Sequence, residues 1–125
     1  MGFWIFCFAM DLLVPAILVA FGWVFRHRPP GHINGVYGYR TARSMKNQET
    51  WDFAHRYCGK LWFRLGLILL PVSVLAMLPV LGADTETVGL WCGGVALMQT
   101  AVLVGSIFPV ERALKRTFDD FGRKR

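Results

Sequence analysis

Three long apolar stretches, separated by polar connections, leave this 125-residue chain few ways to fold. They run from Gly2 to Phe25, from Leu61 to Gly82 and from Val88 to Val110. Each has the roughly 20 residues that a helix needs to cross the hydrocarbon core of a bilayer. Within that core a chain must satisfy its own backbone hydrogen bonds, so spans of this kind are helical. The composition agrees, at 54% hydrophobic residues and a mean hydropathy of +0.41. The expected fold is therefore an all-α membrane protein of one domain, residues 1–125, with transmembrane helices over about 3–25, 61–82 and 88–110. The first stretch does not read as a signal peptide, because no basic residue precedes it and its apolar run is long.

Charge gives the expected orientation. All fourteen Lys and Arg fall in two places, Arg26 to Arg64 and Arg112 to Arg125. The link between the second and third stretches carries only Asp84 and Glu86. Three crossings put both basic regions on one side, and the excess of Lys and Arg assigns that side to the cytoplasm. The N-terminus and the 83–87 link are then outside a bacterial inner membrane, and the C-terminus is inside. The net charge of +6 is absorbed by topology and by anionic lipid headgroups. No direct nucleic-acid partner is expected.

Several polar groups interrupt the spans. Asp11 lies too far into the first stretch to be left outside the bilayer, and an ionisable group there is expected to face the bundle or water. Pro15 removes the hydrogen bond to the Asp11 carbonyl four residues back, so a bend is expected. At about 1.5 Å per residue, Ser73, Gln99 and Thr100 fall near the depth of Asp11. These four residues are expected to face one another, either as a helix-locking cluster or as a small polar pocket. Pro71 and Pro79 are tolerable if neighbours satisfy the carbonyls they free. Gly89-x-x-x-Gly93, with Gly94 and Ala96, offers a surface for close helix approach and for a homo-oligomer. Cys7 and Cys92 share a depth, but a disulfide is not expected on that ground alone. The histidines, His27, His32 and His55, read as solvated or interfacial. No Cys or His spacing suits a metal, and no cofactor is expected.

One long polar passage remains, Ile33 to Lys60. Pro29, Pro30 and Gly31 end the first helix before it, and Asn34-Gly35 and Gly38 suggest turns. Ser44 is expected to cap an amphipathic helix reaching Cys58, which lies at the headgroup level between the first two spans. Gly59 would then be its hinge or stop. Asp52 and Arg56 are placed for an i, i+4 ion pair beside Glu49. Asn47 falls on the apolar side of that helix and needs a partner. Tyr37, Tyr39 and Arg40, with Asn34 before them, form a tight cluster. Arg40 there could clamp a phosphate or carboxylate, with the tyrosines as interfacial anchors. No catalytic signature such as H-E-x-x-H or a P-loop is found, so the chain is not expected to be an enzyme.

Asn34-Gly35-Val36-Tyr37-Gly38-Tyr39-Arg40-Thr41, Arg43-Ser44-Met45-Lys46-Asn47, Glu49-Thr50-Trp51, Ala54 and Gly59-Lys60 together resemble the signature of the SdpI family of bacterial membrane proteins. The resemblance implies a short three-span member of a family of immunity and signal-response proteins. It points to a peptide toxin and a cytoplasmic repressor as partners, besides membrane lipids. Asn34, Tyr37, Tyr39, Arg40, Ser44, Asn47, Glu49 and Trp51 become the candidate ligand- or partner-binding residues. Two other classes fit the same residues. One is a lipid or small-molecule binding or transport subunit; the other, with less support, is an enzyme acting on lipid headgroups.

Overall fold

A computed structural model describes residues 2–34 and 38–125. The fold is all-α. The first helix, α1, is Gly2–His27; α2 is Gln48–Met77; α3 is Thr85–Gly105; and α4 is Ile107–Thr117. A single 3₁₀ turn, Leu78–Val80, follows α2. Three helical stretches, Gly2–His27, Gln48–Val80 and Thr85–Thr117, are each long and apolar enough to cross a membrane. The chain is accordingly a multi-pass membrane protein.

Helix α2 differs from expectation. Residues 48–60 do not form a separate amphipathic helix; they are the first turns of α2, continuous with the second span. The physical reason lies in length and in Gly59. Thirty residues make a helix of about 45 Å, against a hydrocarbon core of about 30 Å, so one end must project. The projecting end is the polar one. Gly59 does not stop the helix and serves instead as a packing surface. A Cβ there would lie 2.7 Å from the Arg26 amide nitrogen and 2.9 Å from the Gly22 carbonyl oxygen.

The same contact recurs along the α1–α2 crossing. A Cβ on Gly22 would collide with the backbone of Phe63, and one on Gly66 would meet the Val19 amide nitrogen at 2.8 Å and the Pro15 carbonyl at 2.9 Å. Glycines therefore let two helix backbones touch, as small residues do in membrane bundles. The Gly89-x-x-x-Gly93 surface has no such role within the chain. Gly89 meets only the Phe3 ring at 3.6 Å, and Gly93 and Gly94 meet nothing within 4 Å.

Proline punctuates the other ends. Pro79 sits in the 3₁₀ turn where α2 closes, and Asp84 then caps α3 through the Thr87 amide at 2.9 Å. That bond holds the Asp84 carboxyl below the usual carboxylate range. Pro109 cannot donate to the Gly105 carbonyl, and the third helical stretch breaks at Ser106 into α3 and α4. Across this break the Trp62 indole donates to Ser106 Oγ at 3.0 Å. Helix α4 ends at Thr117, and Phe118 pairs antiparallel with Lys124 around a turn at Gly122 (φ +80°). Asp119 Oδ1 accepts from the amides of Arg123 and Phe121, both at 2.9 Å, which holds its carboxyl below the usual range.

Two apolar clusters result. One, at the basic end, gathers Phe25, Tyr39, Ala54, Cys58, Val110, Leu114 and Phe118. The other, at the opposite end, gathers Cys7, Met77, Val80, Val88 and Val95. Gly59→Ala places a methyl group against backbone that cannot yield, and should cost about 1–3 kcal/mol. Gly93→Ala adds a methyl in open space and should be neutral or slightly stabilising. Thermal unfolding of both variants in detergent measures the contrast; equal behaviour would place the helix contact elsewhere.

Candidate functional site

The passage before α2 folds into a cap on the basic end of the bundle, and most of its polar side chains turn inward. Ser44 is wholly buried and does not cap a helix. Its hydroxyl accepts from the Thr41 amide at 2.9 Å and donates toward the Tyr39 and Thr41 carbonyls, at 2.9 and 3.0 Å. A turn from Thr41 to Ser44 therefore uses the group that was expected to start a helix. Asn47 caps α2 instead. Its Oδ1 accepts from the Thr50 amide at 2.9 Å, while Thr50 Oγ1 accepts from the Asn47 amide at 3.1 Å. This reciprocal pair is a capping box with threonine in the third position. The Asn47 side chain also donates through Nδ2 to the Gly122 carbonyl at 2.6 Å, which pins the C-terminal turn onto the cap.

Trp51 is fully buried and donates through Nε1 to the Pro30 carbonyl at 2.9 Å. Gln48 donates to the Gly31 carbonyl at 2.7 Å and to Asp52 Oδ1 at 2.8 Å. Asp52 thus takes an amide rather than the expected ion pair with Arg56. Among the described residues the ion pairs are Arg43–Asp120 at 3.5 Å and Arg123–Asp119 at 3.4 Å.

Tyr39 is not an interfacial anchor. Its ring belongs to the core cluster, and its hydroxyl donates to Glu111 Oε1 at 2.9 Å. Burial, and then the Glu111 carboxylate, raise its hydroxyl well above the usual tyrosine range. Arg40 is exposed, as is Glu49, which stands in the first turn of α2 where its charge complements the helix dipole. Asn34 is half-buried and donates to the His32 carbonyl at 3.0 Å. Tyr37 lies outside the described residues.

The residue that sequence reasoning misplaced is His55. It read as solvated or interfacial, yet it is fully buried. Its Nε2 accepts from the Tyr39 amide at 2.8 Å, and its Nδ1 must then donate to the Trp51 carbonyl at 2.8 Å. That pair of bonds defines a neutral ring with the proton on Nδ1. The ring stands edge-on to Phe25, with centroids 4.9 Å apart. Gly38 makes room for it: a Cβ there would lie 2.6 Å from His55 Nε2, and its φ of +117° suits glycine. The available signal was the spacing Trp51-x-x-x-His55 behind the Gly38-Tyr39 turn.

Deeper in the bundle, Asp11, Ser73 and Gln99 meet. Gln99 Nε2 donates to the Asp11 carbonyl at 2.6 Å and to Ser73 Oγ at 2.8 Å. The carbonyl that Pro15 frees on α1 is thus taken by a side chain of α3. The Asp11 carboxyl accepts from Cys92 Sγ at 3.6 Å through Oδ1, while Oδ2 is buried with no hydrogen-bond partner. Thr100 does not join them. It is exposed and bonds back to the Ala96 carbonyl at 2.8 Å. Cys7, Cys58 and Cys92 are free thiols.

A groove of about 340 Å³ opens between α1 and α3, bordered by Val14, Ile17, Leu18, Phe21, Trp62 and Leu103. Gly38, Trp62 and Leu103 also border a second hollow of about 340 Å³, which Tyr39, Arg40 and Thr41 line as well. The two spaces adjoin, so an apolar channel along α1 leads to the Arg40 side of the cap.

Comparison with known proteins places this geometry. The model of the SdpI/YfhL protein family matches residues 32–110, more than half of the chain. The chain is also similar to a Bacillus subtilis (strain 168) protein described as uncharacterized protein YfhL, with 39% identity over 59 residues. That match covers 47% of this chain and 54% of the relative, so about half of the relative's length is spanned. No solved structure matches.

Three outcomes are expected here. Asp11→Asn keeps the main-chain carbonyl that Gln99 uses and should unfold near the wild-type temperature in detergent. Gln99→Leu strands that carbonyl and Ser73 and should cost about 1–2 kcal/mol. Ser44→Ala removes the hub of the Thr41 turn. Trypsin should then cut after Arg40 and Arg43 faster than in the wild type, as followed by mass spectrometry of the fragments.

Proposed function

The chain belongs to the SdpI/YfhL family, and from that premise we propose that it protects a bacterial membrane from, or responds to, a membrane-active peptide toxin. The observation that carries this reading is the way the cap is held by two helices and the C-terminal turn together. Helix α2 holds it at Pro30, Gly31 and Tyr39 through Trp51, Gln48 and His55, and α4 and the C-terminal turn hold it at Tyr39, Asn47 and Arg43 through Glu111, Gly122 and Asp120. A peptide that wedges between the spans would move the cap. A moved cap would present its basic surface to a cytoplasmic partner such as a repressor. Such a response requires that the peptide bind two arrangements of the bundle with different affinity.

In this reading the basic end is cytoplasmic, the N-terminus and the Ala83–Thr87 link are outside, and the chain acts by binding rather than by catalysis. Both basic regions leave the bundle at the cap end, which supports that orientation. A homo-oligomer formed through the open Gly93–Gly94 face is compatible with it. The second reading is a lipid or small-molecule binding or transport subunit, and the open groove beside Arg40 favours it.

The test is expression in a sensitive bacterium challenged with a panel of membrane-active peptides. Insertion is checked by impermeant thiol labelling of Thr85→Cys from outside the cell, against no labelling of Arg125→Cys. Cells carrying the chain should grow at peptide concentrations that stop the parent. A correctly inserted chain that protects against no peptide in the panel defeats the immunity reading, and labelling of Arg125→Cys alone reverses the orientation.

A further inference from the structure

We propose that the groove between α1 and α3 holds one anionic phospholipid, an acyl chain lying along α1 and the phosphate meeting Arg40. The inference goes beyond the toxin reading, since a resident lipid would be bound with or without a peptide.

Length is the first argument. From Val14 to Phe25 the groove wall on α1 rises about 16 Å. One leaflet of a hydrocarbon core of about 30 Å has nearly that depth. The groove therefore crosses one leaflet and ends where a headgroup sits. Its walls are aliphatic and aromatic, and Ile17 and Phe21 on its rim are exposed along the spanning helix, which gives an acyl chain a way in from the lipid side.

Charge is the second argument. Where the groove reaches the cap it adjoins the hollow lined by Tyr39, Arg40 and Thr41. Arg40 is exposed there, and a guanidinium has five N–H donors in a planar fork that matches a phosphate. The cap end also carries the chain's basic residues, and the leaflet on that side attracts anionic headgroups. A zwitterionic lipid would fill the same groove but would gain less from Arg40.

The experiment uses the whole chain in nanodiscs of phosphatidylcholine doped with phosphatidylglycerol, with retained lipid read by native mass spectrometry. Wild type should keep one phosphatidylglycerol per chain, preferred about tenfold or more over phosphatidylcholine, as one charge-assisted contact implies. Arg40→Ala should remove the preference. Arg116→Ala, which removes the same charge from an exposed position on α4, should leave it intact. Leu103→Trp should fill the groove and release the lipid, and Ile17→Trp serves if that variant fails to fold by circular dichroism. Equal losses in Arg40→Ala and Arg116→Ala would mean diffuse attraction and overturn the proposal. So would equal retention of the two lipids, or a lipid-free dimer with a second copy over the groove. Protection against peptides is a separate readout, so either idea can fail without the other.

Discussion

Contact between two bare helix backbones is the constraint on which the remaining structure depends. Gly22, Gly59 and Gly66 bring α1 and α2 together without intervening side chains, and this fixes their relative register. Once that register is set, Trp51 lies opposite Pro30, and His55 lies between Phe25 and the Gly38–Tyr39 turn. The third helical stretch joins by a different means. It leans on the pair through polar contacts at spaced depths, Trp91 to the Ala76 carbonyl, Gln99 to Asp11 and Ser73, and Ser106 to Trp62. A membrane offers no hydrophobic drive for helices to associate, and close packing with interhelical hydrogen bonds takes its place.

Length and hydropathy made the three spans readable from the sequence, because a bilayer imposes a single dimension on whatever crosses it. Meeting groups at one depth could be counted for Asp11, Ser73 and Gln99, yet counting could not tell that the main-chain oxygen of Asp11, rather than its carboxyl, would take Gln99. It could not exclude Thr100 either, since depth says nothing about which side of α3 a residue occupies. Gly59 and Ser44 were misread for a related reason. Each has a common local role, as helix stop and as cap, and a tertiary contact overrode it in both cases. His55 was misread because a histidine in a polar passage is expected at the surface, whereas the first turns of α2 are covered by Phe25 of α1 on one side and by the folded loop on another.

The cap and the groove describe two ways in which the bilayer can reach the basic end. Neither needs a catalytic group. In the cap, backbone amides and carbonyls of an irregular loop are satisfied by Ser44, Asn47, Thr50 and His55, which allows non-helical chain to lie against the membrane-facing bundle. The groove is the complement, an apolar gap bordered by α1, by Trp62 of α2 and by Leu103 of α3.

Because Ser44, Asn47, Trp51 and Tyr39 spend their polar atoms on the protein's own main chain and on Glu111, this family signature records architecture more than recognition. A random mutational screen scored by lost phenotype would therefore light up these positions as misfolding hits. At Arg40 and Glu49, whose side chains are exposed, a lost phenotype would not first mean a lost fold, and the same holds for the outward side chains of the spans.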